Sequence, residues 1–149
     1  MKRVWNGKVF LYVPKEKWVK KAMERGAIQV KRNKGTGKET WRPMPRKDLM
    51  NRKDADIVST FNSEIRGLYN FYRIAENVGV LHKYYYMVRY SMLKTLAGKH
   101  RTKVSAIKKR FMVDKVLRIP YDTTKGRKMC IRDRYQHWYG YFNEKEVRQ

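Results

Sequence analysis

Eight basic residues lie close together between positions 94 and 110, with no Asp or Glu among them. They are Lys94, Lys99, His100, Arg101, Lys103, Lys108, Lys109 and Arg110. Cations near a helix C-terminus stabilise that helix by roughly 0.3–1 kcal/mol, which accounts for one or two of them. Because clustered Lys and Arg side chains commonly bind phosphate oxygens, the remaining cations predict contacts with a nucleic acid backbone.

A second candidate contact centres on Arg66, Gly67 and Asn70, in the middle of a predicted helix. Glycine inside a helix costs about 1 kcal/mol relative to alanine, so another interaction should compensate. Two interpretations remain open. Gly67 permits either the close packing of another helix or the close approach of an RNA backbone, with Arg66 on a phosphate and Asn70 as a hydrogen-bonding neighbour. At least one of the aromatic side chains that follow cannot face the core, and a base or ribose is a candidate partner for it.

The charge of the whole chain favours the same class of partner. Lys and Arg number 37 against 13 Asp and Glu, which leaves a net charge of +24 on 149 residues. Residues 1–53, 54–112 and 113–149 are each net basic, so the excess is not confined to one tail. Such a surplus is costly in self-repulsion unless a polyanion binds, and composition leaves specific RNA binding and generic polyanion binding both open.

Length and composition indicate one folded domain, since 42% of the residues are apolar and can form a core. The single cysteine, Cys130, excludes an internal disulfide and a multi-cysteine zinc site. No run approaches the roughly 18 consecutive apolar residues of a membrane span, and the N-terminus lacks the apolar segment of a signal peptide. We therefore expect a soluble, cytoplasmic protein.

The spacing of apolar residues predicts three helices that position these candidates. The expected bounds are Asp56–Val78, Leu81–Ala97 and Lys103–Met112. The residues expected to face the core are Ile57, Phe61, Ile65, Leu68, Tyr72 and Ala75 in the first helix, Leu81, Tyr85, Val88, Met92 and Leu96 in the second, and Val104, Ile107 and Phe111 in the third. Asp54 or Asp56 favours the N-terminus of the first helix, Gly79 ends it, and Thr102 is a possible cap of the third. Because short turns join these helices, the apolar faces can be buried only against one another, which predicts a mainly α three-helix bundle.

Smaller elements precede the predicted bundle. Asn6-Gly7 suits a type I′ turn between two short strands, which predicts a small β-hairpin. A short helix is predicted from about Pro14 to Arg25, with Gly26 as its stop. From Lys31 to Lys47, glycines and prolines lie among basic residues, and the apolar residues follow neither the helical nor the strand period. This pattern predicts an extended basic connector.

The sequence from Asp56 to His100 resembles domain X, the maturase and thumb region of group II intron-encoded reverse transcriptases. The resemblance rests on RGLYNFYRIAEN at 66–77 and SMLKTLAGKH at 91–100. It extends upstream through VP-x-E-K at 13–17 and K-x-x-W-x-x-x-P-R at 38–46, and covers about three quarters of the chain.

The resemblance implies a protein of bacterial origin that binds group II intron RNA, assists its splicing and mobility, and serves as a polymerase thumb beside primer and template. Arg66, Gly67, Asn70 and the basic residues between positions 94 and 110 are the expected RNA contacts. The alternative is a free-standing basic RNA- or DNA-binding module without a splicing role.

The chain lacks the Tyr-x-Asp-Asp signature that reverse transcriptases use to hold two metal ions. We therefore expect no catalysis and no cofactor in this fragment. The parent protein is expected to be an RNA-directed DNA polymerase that binds Mg²⁺ in a polymerase region missing here. Asp54 and Asp56 suit the start of a helix better than a metal site, and no Cys/His set for an appended nuclease domain is present.

Lys128–Arg134 matches a translated sequencing adapter, because the mosaic-end codons AG ATG TGT ATA AGA GAC AG give the same residues in this frame. We therefore expect residues 128–149 to be an adapter scar and a non-native tail, and exclude them from the fold. Residues 1–53 are assigned to the end of the polymerase region and the connector, 54–113 to the domain X bundle, and 114–127 to a trailing segment.

Overall fold

A computed structural model of the chain describes residues 2–3, 9–75, 78–126 and 128–132. Helices hold the largest share of these residues, in agreement with the predicted mainly α class. The elements in chain order are β1 (Lys2–Arg3), β2 (Val9–Phe10), α1 (Lys15–Glu24), β3 (Ile28–Arg32), β4 (Glu39–Pro43), a 3-10 turn (Lys47–Leu49), α2 (Asp54–Tyr72), a second 3-10 turn (Val78–Val80), α3 (Leu81–Lys99), α4 (Val104–Phe111), β5 (Met112–Val113), β6 (Val116–Asp122) and β7 (Lys128–Arg132).

The N-terminal hairpin and the short helix are both present. β1 and β2 pair antiparallel, whereas the predicted Asn6-Gly7 turn lies outside the described residues. Gly26 stops α1 two residues after its last helical residue, Glu24, and its φ of +71° suits a residue without a side chain. Gly26 N donates to Met23 O and Ala27 N to Ala22 O, each at 2.9 Å, which together form a Schellman motif.

Residues 31–47, expected to be an extended connector, instead contribute to a second hairpin formed by β3 and β4. Asn33 N donates to Lys38 O at 2.9 Å and closes the turn between the strands. The glycines mark this turn and a proline marks a strand end, so they do not indicate irregular chain. The half-buried pair of Val30 and Trp41 is flanked by exposed polar and charged residues, and the apolar alternation that identifies a strand is therefore short.

α2 begins at Asp54 and ends at Tyr72, well before the predicted end at Val78, and Gly79 does not terminate it. Ala75 N donates to Tyr72 O at 2.9 Å, so the chain leaves the helix in a tight turn. Ala75 is buried as predicted, but this turn places it there. Because such a turn preserves the apolar spacing, periodicity alone could not locate the helix end.

α2 and α3 form the centre of the core through the predicted faces. All five apolar positions expected along α3 are buried, and they are Leu81, Tyr85, Val88, Met92 and Leu96. In α2 the first four expected positions are buried while Tyr72 is half-buried. α1, β3 and α4 pack against α3, so the bundle has more than three helices. None of the described helices is long and apolar enough to cross a membrane.

The trailing segment 114–127, to which no regular structure was assigned, contributes β6, the central strand of a three-stranded antiparallel sheet in the order β5, β6, β7. Asp114 and Lys115 connect β5 to β6 with φ angles of +50° and +63°, as in a type I′ turn. β6 contributes the buried Leu117 and Ile119 to the core. β7 consists of residues assigned above to an adapter scar and left out of the fold prediction, and their backbone pairs with β6 over 128–132. Backbone pairing is tolerant of sequence, and the adapter origin therefore stays a prediction.

Candidate nucleic-acid interface

One face of α3 binds the main chain of residues 43–54, which we call the 43–54 segment. Ser91 Oγ donates to Met44 O at 2.5 Å, and Lys94 Nζ donates to Pro43 O at 2.9 Å. Thr95 Oγ1 accepts from Arg46 N at 3.0 Å. The three α3 residues share a face because they are three and four apart. Lys94, predicted to contact phosphate, therefore has a partner inside the protein.

The same face continues to the end of α3. Lys99 Nζ donates to Arg52 O at 2.6 Å and to Asp54 Oδ1 at 2.7 Å, and His100 Nε2 lies 2.7 Å from Asp54 Oδ2. An ionised carboxylate can only accept, so this nitrogen of His100 carries a proton. Lys99 and His100 thus hold α3 to the start of α2. These contacts explain both residues without an RNA ligand.

Asp54 is the acidic partner that the sequence did not place near the basic cluster. It lies in the first turn of α2 but makes no capping hydrogen bond, and Lys53 occupies the cap position. Burial opposes the charged form of Asp54, but the hydrogen bonds from Lys99 and His100 outweigh it and hold the pKa of this carboxyl below its usual value. Asp54 and Asp56 lie in the first turn, where their charge favours the helix N-terminus as predicted, and Asp54 additionally forms the ion pair with Lys99.

A buried guanidinium in the 43–54 segment was not singled out from the sequence. Arg46 is 7% exposed and pairs with Glu64 of α2, while Arg25 Nη1 lies 3.5 Å from the same carboxylate. Burial works against the charged form of Arg46, yet the hydrogen bonds and charge of Glu64 outweigh it and raise the pKa of Arg46. The Pro45-Arg46 pair in the upstream motif of the resemblance could have drawn attention to Arg46. Its partner Glu64, however, lies 18 residues further along the chain, so the sequence did not reveal the ion pair.

The other basic residues predicted to bind RNA point outward around α4. We call Arg101, Lys103, Lys109 and Arg110, all exposed, the α3–α4 basic surface. Lys108, which is half-buried, packs over the ring of Tyr90 with Nζ 5.2 Å from the centroid. The side chains of Arg101, Lys103 and Lys109 form no hydrogen bond or ion pair with the residues that the structure describes.

Arg101 occupies a backbone position that favours glycine. Its φ is +52°, and it follows α3 as the left-handed residue of a second Schellman motif. Arg101 N donates to Gly98 O at 3.2 Å, and Thr102 N donates to Ala97 O at 2.9 Å. Thr102 is thus part of this stop and does not cap α4, whose cap position belongs to Lys103. A large side chain at this φ costs stability.

The exposed face of α2 carries the second predicted set. Arg66, Gly67 and Asn70 are exposed, and Phe71, 74% exposed, lies one turn beyond Gly67. A Cβ atom added at Gly67 would meet nothing within 4 Å. Within the part of the chain that the structure describes, no neighbouring element therefore packs closely on Gly67. We call these four residues the α2 outer face.

Comparison with known proteins fits this architecture. Residues 6–139 match the family described as type II intron maturase. The chain belongs to the type II intron maturase family. It is 34% identical over 104 residues to the group II intron-encoded protein LtrA of Lactococcus lactis subsp. cremoris, and equally to that of strain MG1363. The alignment covers 70% of this chain and 17% of the length of either relative.

The family match confirms the resemblance drawn from the sequence, and the adapter-like residues 128–134 fall inside the matched range. No group of three or more His, Cys, Asp or Glu side chains within the described part of this maturase chain could hold a metal ion. The α3–α4 basic surface and the α2 outer face together present cations, an amide and an aromatic ring. This chemistry suits binding to phosphate, ribose and bases.

Proposed function

We propose that this chain is the maturase part of a group II intron-encoded reverse transcriptase and that it binds the intron RNA to assist splicing and mobility. The observation that carries the RNA contact is Arg101, an exposed cation kept at a φ of +52°. Glycine would be more stable there, so selection for stability alone does not explain arginine. A phosphate contact gives the side chain a use that compensates for the strain.

The α3–α4 basic surface supplies the remaining phosphate contacts in this proposal. Lys103 and Lys109 are exposed beside Arg101, and no acidic side chain lies between positions 94 and 110 in sequence. Lys94, Lys99 and His100 are left out of the set because they bind the 43–54 segment and Asp54. In the same proposal, the bundle also serves as a polymerase thumb beside primer and template, as the resemblance to group II intron reverse transcriptases implies. The parent would be an RNA-directed DNA polymerase of the bacterial cytoplasm, and its Mg²⁺ would bind outside this bundle.

The test compares two sets of three substitutions that remove equal charge. Converting Arg101, Lys103 and Lys109 to Ala should reduce the log–log salt dependence of intron RNA binding by about two to three units. The control converts the exposed lysines of the β3–β4 hairpin, which are Lys31, Lys34 and Lys38. Binding is measured in competition between a group II intron and an unrelated folded RNA of equal length.

The proposal expects the unsubstituted chain to prefer the intron and the first set alone to lose affinity strongly. Equal loss in both sets would indicate generic attraction to a polyanion. If wild-type protein also shows no preference for the intron when the whole reverse transcriptase is used, the free-standing basic module is the better description.

A further inference from the structure

A depression of about 320 Å³ lies between α1 and α2, and Gly67 forms part of its lining. The other lining residues are Lys21, Arg25, Ser63, Glu64 and Leu68. The Glu64 carboxylate belongs to this site but is already paired with Arg46 at 2.8 Å and with Arg25 at 3.5 Å. Lys21 is the exposed cation of this lining, and Arg66, also exposed, directly precedes Gly67 on α2.

Glycine at position 67 has no explanation within the described residues. It lies inside α2, where the residues on both sides are helical, and a methyl group at this position would meet open space. Alanine would stabilise the helix, yet the chain keeps glycine. Open space over the helix backbone, flanked by cations, is a shape that admits the sugar-phosphate chain of a ligand.

Phe71 extends this site along the same helix face. It lies four residues after Gly67, which is about 6 Å along the helix axis. Its ring is 74% exposed and contacts the ring of Tyr72 edge-on, with centroids 4.8 Å apart. Bases inside a duplex are covered by their neighbours, whereas an unpaired base can stack on such a ring.

We propose that the α2 outer face and the adjoining depression bind an unpaired RNA segment. The backbone of that segment passes over Gly67 with Lys21 and Arg66 as phosphate contacts, Asn70 donates or accepts a hydrogen bond, and one base stacks on Phe71. This proposal rests on the proposed function for the nature of the ligand. It adds a second contact surface on a different helix from the α3–α4 basic surface.

The decisive variant is Gly67→Ala, because it should increase the stability of the fold and decrease the affinity for RNA. The melting temperature should rise by about 3 °C through helix propensity. The affinity for a hairpin RNA with an unpaired loop should fall about tenfold, since the methyl group occupies the space of the RNA backbone. Ser59→Ala, on the exposed side of the same helix, is the control and should leave affinity unchanged.

Phe71→Ala tests the stacking contact. It should weaken binding of the looped hairpin at least about fivefold and leave binding of a fully paired duplex of equal length unchanged. Tyr86→Ala, which removes a ring 52% exposed on α3, is the matched control. Equal losses on both RNAs would overturn the assignment of an unpaired segment.

The proposal is overturned if Gly67→Ala raises the melting temperature and binds the looped hairpin as wild type does. It is also overturned if both variants bind RNA normally but weaken association with the upstream part of the reverse transcriptase, because the face would then be a protein contact. Both tests measure the RNA affinity of a variant relative to that of wild type. They therefore test this site even if wild type shows no preference for the intron.

Discussion

Nη1 of Arg46 lies 2.9 and 2.8 Å from the two carboxylate oxygens of Glu64. This pair joins the 43–54 segment to the middle of α2, and Arg46 also packs its guanidinium over the ring of Phe61 at 5.3 Å. Both side chains are largely withdrawn from solvent, at 7% and 17% exposure. A buried ion pair of this kind changes the free energy of folding little while both partners are present, but removal of one partner strongly destabilises the fold.

Glu64→Ala should therefore lower the free energy of unfolding by roughly 3 kcal/mol, because it leaves the buried Arg46 without its main counter-charge. Urea denaturation followed by circular dichroism measures the loss. Asp48→Ala removes a carboxylate that also contacts Arg46 but is 61% exposed, and should change stability by less than about 0.5 kcal/mol. Similar losses in the two variants would contradict a dominant role for the buried pair.

Asp54 should make stability depend on pH in the acid range. Its folded pKa is depressed, so its contribution is complete above the unfolded value of about 3.9 and is lost as pH falls through the folded pKa. The stability difference between wild type and Asp54→Asn should be largest near neutral pH and shrink below about pH 4. Thermal unfolding at a series of pH values measures it, with the exposed Asp56→Asn as control. A difference that stays constant to pH 2 would exclude this linkage.

Glycine should stabilise two positions that have positive φ. Arg101→Gly and Lys115→Gly should each raise the free energy of unfolding by about 0.5–1 kcal/mol, because they relieve left-handed strain. Only Arg101→Gly should also weaken binding to intron RNA. The Lys115 carbonyl accepts a hydrogen bond from Arg89 at 2.6 Å, and the substitution leaves it in place. Equal RNA affinities in the two variants would remove the argument for Arg101.

Truncation after Arg127 tests the origin and role of the last residues. β7 pairs with β6 from Lys128 opposite Asp122 to Arg132 opposite Arg118, so its removal leaves one edge of β6 unpaired. We expect a loss of about 1–3 kcal/mol in the free energy of unfolding. Wild-type melting of the truncated chain would contradict a contribution of β7 to stability, and uninterrupted genomic sequence across Met129–Arg134 would contradict the adapter interpretation.

The interior of the bundle was accessible from the sequence because burial follows a period. Leu81, Met92 and Leu96 recur at helical spacing, and the structure buries all three. The end of α2 was not accessible, since Ala75 keeps its place in the pattern while leaving the helix. The β3–β4 hairpin was missed because two apolar pairs, Ile28 with Pro43 and Val30 with Trp41, among many cations give too weak an alternation.

For the basic residues between positions 94 and 110, the sequence could not predict which side chains bind within the protein. Lys94, Lys99 and Arg101 look alike in sequence, yet the first two bind main-chain oxygens 51 and 47 residues away and the third points to solvent. Nothing local distinguishes an internally bound lysine from a phosphate-binding one. Gly67 could be placed on an exposed helix face only after the position of α2 was known, although its unfavourable propensity marked it beforehand.

The hydrogen bonds between α3 and the 43–54 segment should make the two regions differ in how well they tolerate amino-acid substitutions. Ser91, Lys94 and Thr95 contribute side-chain atoms, whereas Pro43 and Met44 contribute only carbonyl oxygens, which every amino acid possesses. Substitutions should accordingly be accepted at 43 and 44 wherever the backbone path is kept, and rejected on the facing side of α3. Two stretches in intimate contact would then diverge at different rates among relatives, and the variable one would still lie in the same place.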